Sequence, residues 1–352
     1  MHNFTYDIER SYAENYELGP AFTTPAPDVP RVPMKTFLGL PVRSRIGIAA
    51  GLLLNSNWVL GYAERGFDIL TYKTVRSRPR KCYDLPNWVF VEDLGAKDGP
   101  VYVSEQPDDD ASALNSAVCF GMPSMSAAVW RADVEIAKAS LSPGQLLSVS
   151  VVATPADTTT AMDMAADFMQ CAVWAVEAGA DIVEANFSCP NVGTAEGSIY
   201  LDPELPSLIC RKIRSAILGV PVLIKAGAFE EEASLLRFLK SLDGVADGVV
   251  LVNGITRPIV NRDGSPAFGP DRVNAGVFGR AIHDTSVAST RTAVEIVQRL
   301  GLDLAIVSVG GISSPNDMGD FFTAGAAAVM LGSAPMYLPD VAAAAKVCHP
   351  EW

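Results

Sequence analysis

The chain has 352 residues, 49% hydrophobic and only 19% charged, so it can bury a large core as one large domain or two average ones. Forty acidic against 27 basic residues give a net charge of −13, which leaves no basic footprint for nucleic acid and argues against docking on an anionic membrane. Six scattered cysteines without a Cys-x-x-Cys spacing, and only three histidines, offer no zinc, iron–sulfur or other metal site, so no metal is expected.

The first residues lack the basic and apolar regions of a signal peptide, and no apolar run reaches the roughly 18–20 residues that span a bilayer. A cytoplasmic protein is expected. Residues 1–41, with prolines at 20, 25, 27, 30, 33 and 41, read as an extended lead-in, and residues 42–352 as one domain. From there apolar, strand-like runs recur at 46–50, 69–75, 146–153, 181–187, 221–227, 248–253, 304–310 and 326–333. Between most of them lie amphipathic stretches such as 160–178, 203–218, 230–242 and 285–300. Repeated strand–helix alternation implies parallel strands with right-handed crossovers. Eight such units predict an α/β fold, a (β/α)8 TIM barrel. A ninth run, 117–121, does not fit that count. Residues 76–123, with a hairpin expected from 88–93 and 101–104, read instead as an elaborated loop over the carboxyl face. A second excursion covers 254–282. Loops of this length inside a compact domain are usually functional.

Chemistry gathers where these strands end, which is where barrel enzymes keep it. The first run ends in Ala49-Ala50-Gly51, small enough for a flat ring to lie against the backbone, although a glycine in an ordinary turn would look the same. Lys73 and Thr74 close the second run, and Lys225 sits at the end of the fifth. Lysine is almost never fully buried without a partner, so two of them at strand ends suit an anionic ring or a phosphate. Gly310-Gly311 and Gly332-Ser333 end runs seven and eight, where barrels often hold phosphate on backbone N–H groups. Gly276, in the excursion after run six, adds a further backbone donor. Asn186, Asn191 and Asn253 lie at or past strand ends; singly each is more often a turn residue, together they can read a planar heterocycle. Cys189, taken alone, is more often a small buried core residue. Next to Asn186 and Asn191 it becomes a candidate for proton transfer.

Asn186-Phe187-Ser188-Cys189-Pro190-Asn191, Tyr72-Lys73-Thr74, Phe120-Gly121-Met122-Pro123-Ser124, Gly310-Gly311 and Gly332-Ser333 resemble, in order, the motifs of the dihydroorotate dehydrogenase family. The likeness runs from about residue 41 to about residue 336. It implies a barrel that binds FMN and oxidises dihydroorotate to orotate in pyrimidine biosynthesis. The family's base is cysteine in its soluble class and serine in its membrane-bound class, so Cys189 resembles the soluble type, whose members are commonly homodimers. By the same resemblance Cys189 is the general base and Lys73 bridges flavin and substrate. Gly121, Met122, Asn186, Asn191 and Asn253 contact the substrate. Ala50, Gly51, Lys73, Thr74, Lys225, Gly276, Gly310, Gly311, Gly332 and Ser333 line the flavin, and residues 192–201 form a lid.

Two segments depart from the family pattern, at Val118-Cys119 and at Gly254. The soluble class typically reads Asn-Ser-Met-Gly-Leu-Pro-Asn where this chain has Val118-Cys119-Phe120-Gly121-Met122-Pro123-Ser124, so a substrate-contacting asparagine falls on Val118 unless a three-residue insertion shifts Asn115-Ser116 out of its place. A hydroxyl is also missing where Gly254 follows Asn253. Each lost donor to a buried polar atom costs about 1–3 kcal/mol. The alternative is therefore a related flavoenzyme for another dihydropyrimidine or a specialised metabolite. A third reading is a flavin-free, phosphate-binding lyase or isomerase with Lys73 or Lys225 as a Schiff base.

Overall fold

A computed structural model describes residues 4–96, 99–105, 108–156, 159–188 and 198–352. The chain opens with α1 (Tyr12–Leu18) and a hairpin of β1 (Lys35–Phe37) and β2 (Leu40–Val42). Then come β3 (Ile46–Ile48), α2 (Ser56–Ala63) and β4 (Ile69–Val75). An excursion carries β5 (Trp88–Phe90), β6 (Val101–Tyr102) and β7 (Asn115–Val118) before α3 (Ala127–Ser140). Next are β8 (Leu146–Val151), α4 (Ala161–Glu177), β9 (Ile182–Asn186), α5 (Leu205–Ala216), β10 (Val222–Lys225), α6 (Glu232–Leu242) and β11 (Gly248–Leu251). A second excursion holds β12 (Ile255–Val260) and β13 (Asn274–Gly279). The chain finishes with α7 (His283–Leu300), β14 (Ala305–Val309), α8 (Pro315–Thr323), β15 (Ala328–Leu331) and α9 (Val341–Cys348).

The strands β3, β4, β8, β9, β10, β11, β14 and β15 pair in that order, all parallel, and close into a barrel. These are the eight runs read as strands from the sequence. Most are shorter than the run, because the last residues leave the ladder and turn into the mouth. Their continuous apolar character follows from burial on both faces, against the helices outside and the packed interior within. Polar residues fix where the helices begin: Thr160 with Asp163, and Ser314 with Asp317, form capping boxes on α4 and α8, and Pro315 takes the first helical position of α8. At the barrel's amino-terminal end Phe37 and Val42 of the hairpin plug a layer of Ile69, Leu146, Ile182, Leu223, Val250 and Val307.

The excursions form a second sheet in the order β5-β7-β13-β12-β6. The ninth apolar run is its β7. The hairpin expected within 76–123 is largely replaced: β5 pairs antiparallel with β7 and β6 parallel with β12, while the two touch each other only around the Val91–Val103 bridge. The longer β7 and β12 offer β5 and β6 better ladders than the two offer one another. The lead-in is also not extended throughout. Ser11 and Glu14 make a capping box that starts α1. Tyr6 then stacks on Trp88, with ring centroids 5.5 Å apart, and packs on Phe120. Among the described residues, no helix is long and apolar enough to cross a membrane.

Candidate active site

One cavity opens at the carboxyl ends of the barrel strands, under the second sheet. On its floor, β4 carries a register shift between Tyr72 and Val75. Such a bulge re-aims side chains. Tyr72 points outward and donates to Asp133 Oδ2 on α3 at 2.7 Å, whereas both Lys73 and Thr74 line the cavity. From Thr74 a polar chain crosses the mouth. Its hydroxyl lies 3.0 Å from Ser150 Oγ and accepts from Asn186 Nδ2 at 3.3 Å. Asn186 Oδ1 in turn accepts from the Ser188 N–H at 3.1 Å, and Asn253 Nδ2 donates to the Ser188 carbonyl. Two of the expected ring-reading amides are thus held in place by their neighbours.

Lys225 is 2% exposed and donates to the carbonyl of Ala50 at 3.2 Å, tying the ends of β10 and β3 together. Glu184, one pleat below Asn186 on β9, is equally buried. Burial raises its pKa, opposed by the charge of Lys225 and by a hydrogen bond from Ser150. A buried carboxyl beside a buried ammonium keeps Lys225 in place beneath the cavity.

The far wall is backbone. Gly310 and Gly311 have φ of 117° and 72°, and a Cβ on Gly311 would stand 2.5 Å from His283 Cα. Only glycine fits that turn. Gly51 and Gly332 differ: a Cβ on Gly332 meets nothing within 4 Å and one on Gly51 touches only the Ala49 carbonyl at 4.0 Å, so both glycines leave room for a ligand. Ser333 lies beside Gly332 in the cavity wall. Arg280 also lines this corner; its Nη1 pairs with Asp317 Oδ1 at 3.1 Å, and Asp317 Oδ2 accepts from the N–H groups of Ser313 and Ser314. His283 braces the turn from behind, Nδ1 lying 2.9 Å from the Gly311 carbonyl and Nε2 3.1 Å from Asp320 Oδ2. His283, Asp317 and Asp320 bring ligand atoms within 4.8 Å of one another, but those atoms already serve the turn, the α8 cap and Arg280.

The upper wall comes from the second sheet and its loops: Trp88, Val118, Phe120, Met122 and Phe278. Of the residues expected from sequence, Ala50, Gly51, Lys73, Thr74, Met122, Asn186, Lys225, Asn253, Gly310, Gly311, Gly332 and Ser333 share this one cavity. Gly121 is not in the wall; its φ of 74° turns the chain where a Cβ would strike the Tyr83 ring at 2.6 Å. Gly276 is not in the wall either. It sits in mid-strand, paired with Val118 and Thr256, and the strand reaches the cavity two to four residues later at Phe278, Gly279 and Arg280. Cys189, Asn191 and most of the expected lid lie outside the described residues. Arg280, Trp88, Phe278 and Tyr337 were not read from sequence, because none stands at the end of a barrel strand.

The residues present suit a flavin mononucleotide: room over Gly51 and Gly332 for a flat ring, Lys225 and Lys73 for its polar edge, and a glycine turn with Arg280 for a phosphate. Residues 97–349 match the family model described as dihydroorotate dehydrogenase. A dihydroorotate dehydrogenase of Dictyostelium discoideum is 32% identical, over 96% of this chain and 95% of its own. The catalytic subunit of dihydroorotate dehydrogenase B (NAD(+)) from Methanocella arvoryzae is 26% identical over 84% of each chain. Among solved structures, DHODH of Eimeria tenella in complex with ferulenol shares the fold, with a TM-score of 0.70 at 16% identity over 89% of this chain and 82% of that one. With the family model matching most of the chain and a relative matching nearly all of it, this chain belongs to the dihydroorotate dehydrogenase family and is an oxidoreductase.

Proposed function

We propose that this chain oxidises dihydroorotate to orotate in the cavity at the barrel mouth, with FMN as its cofactor. The observation that carries this reading is the gathering of Lys73, Asn186, Asn253 and Lys225 with Gly310, Gly311, Gly332 and Ser333 in the wall of a single cavity. Membership of an oxidoreductase family displaces the flavin-free lyase or isomerase, and with it a Schiff-base role for either lysine.

FMN would be held by Ala50, Gly51, Thr74, Lys225, Gly310, Gly311, Gly332, Ser333 and Arg280. When bound, it supplies a two-electron acceptor for hydride. The remaining work falls to the chain. Lys73 holds the substrate's anionic side and steadies charge that builds there. Asn186, Asn253 and, from its place in the motif, Asn191 hold the ring. The Cys189 thiolate takes a proton from the carbon beside a carbonyl as hydride leaves the neighbouring carbon, and a C=C bond forms between the two. An unperturbed thiol titrates at about 8.5, so the base needs little activation. Cys189 adjoins Ser188, which lines the cavity. The same reading carries a cytoplasmic homodimer acting on a small-molecule substrate.

One observation favours a second reading, a relative acting on another dihydropyrimidine: Trp88, Val118, Phe120 and Phe278 make the upper wall largely apolar. Anaerobic mixing of FMN-loaded protein with dihydroorotate separates the two. Loss of the visible flavin absorbance is expected; an unchanged oxidised spectrum would remove dihydroorotate as the substrate.

A further inference from the structure

We infer that His283 is a positioning residue for the cofactor's phosphate, holding the Gly310–Gly311 backbone so that the cavity prefers FMN to riboflavin; this rests on the reading of the cavity as an FMN site. Two successive glycines with φ of 117° and 72° carry no side chains that could fix their own backbone. Before them Val309 is paired in the barrel, and after them Asp317 Oδ2 accepts from the Ser313 and Ser314 N–H groups. Between these anchors, among the described residues, one hydrogen bond reaches the backbone of 310–312: His283 Nδ1 donates to the Gly311 carbonyl at 2.9 Å.

The ring that makes this bond is itself fixed. His283 is buried, its Nε2 lies 3.1 Å from Asp320 Oδ2 on α8, and the Phe321 ring meets it edge-on with planes at 81°. The doubly protonated ring donates to both acceptors at once. A peptide unit is planar and trans, so the Gly311 carbonyl turned to His283 sets the Ile312 N–H facing away from it. Gly311 and Ile312 line the cavity and His283 does not. Among the described residues, none accepts from the N–H of Gly311 or of Ile312. Open N–H groups that are already ordered bind a phosphate without the cost of ordering a glycine turn when it arrives. Arg280, three residues before His283, brings positive charge to the same corner. Riboflavin ends in a hydroxyl where FMN carries its phosphate, so it gains little from such a turn.

The test compares His283→Asn with His283→Gln, titrating each apoprotein with FMN and with riboflavin. The Asn amide nitrogen takes the place of Nδ1 and keeps the bond to Gly311. The Gln amide sits one carbon further out and keeps only the contact toward Asp320. The ratio of FMN to riboflavin affinity should stay within about threefold of wild type in the Asn variant and fall roughly tenfold in the Gln variant, the size of one lost hydrogen bond. Both ligands are read on the same protein, so any general loss of stability cancels from the ratio. Equal ratios in the two variants, or a Gln variant that prefers FMN as wild type does, overturn the inference alone. Wild-type apoprotein that binds FMN no more tightly than riboflavin, or binds neither, overturns the FMN reading, and the inference with it.

Discussion

Arg76 donates its Nε–H at 3.0 Å to the carbonyl of Met122, a non-glycine residue held in the left-handed backbone region with φ of 52°. The same guanidinium donates from Nη1 to the Ala153 carbonyl at 2.6 Å, so one buried cation joins the end of β4, the end of β8 and the loop that brings Met122 into the cavity. Left-handed backbone at a residue with a side chain costs about 1–2 kcal/mol, and fixed partners such as this one maintain it. Arg76→Lys cannot reproduce a planar fork reaching two carbonyls. It should lower stability by about 2 kcal/mol in urea unfolding and raise KM, because Met122 loses its hold. A variant as stable as wild type would show that the fork is not what fixes this loop.

Lys73 reaches the cavity through a bulge, and its charge has no substitute on that strand. Lys73→Ala should abolish most substrate oxidation and weaken FMN binding, read by equilibrium titration of the apoprotein with FMN. Normal turnover would contradict a bridging role.

The barrel was legible because eight doubly buried strands leave eight apolar runs, and helix starts such as Ser314-Pro315 carry their own chemistry. Lys73 and Lys225 stood out for the same reason, being charges inside apolar strands. The second sheet was not legible. Its strands are two to six residues long and pair across large separations, such as Val118 with Gly276, so no local pattern announces them. The register also decides which part of 274–280 meets the cavity, because its glycines look alike in sequence until the pairing is known. Trp88 was hidden likewise, since it meets the cavity only through its pairing with β7.

Gly311 and Gly332 should fail differently when substituted. Gly311→Ala combines a φ of 72° with a contact of 2.5 Å to His283 backbone, so it should destabilise the apoprotein itself, by about 1–3 kcal/mol. Gly332→Val places its side chain in open cavity space, so the apoprotein should melt as wild type does while FMN affinity falls at least roughly tenfold. Thermal melts of apoprotein beside FMN titrations check both. Equal melting of all three proteins would mean that the Gly310–Gly311 turn can relax.

Cys189→Ser replaces a thiol by a far weaker acid of similar size. Flavin reduction by dihydroorotate should slow by roughly 10²-fold or more, within the usual contribution of a general base, while FMN remains bound. Stopped-flow reduction rates measure this directly, and unchanged rates would take the base role away from Cys189.

Glu184 predicts how stability depends on pH. Its pKa is raised from the ordinary value of 4.5, first by burial, with Lys225 and Ser150 opposing. Between 4.5 and the raised value the folded protein holds a proton that the unfolded chain has released. Stability from this group is therefore complete below the unfolded value and is lost as pH rises through the folded one. Glu184→Gln removes that titration while keeping an oxygen toward Lys225, so the variant's urea midpoint should fall less than wild type's as pH rises through this window. Parallel curves for the two proteins would mean that Glu184 carries the same proton affinity folded and unfolded, and that Lys225 cancels the cost of its burial.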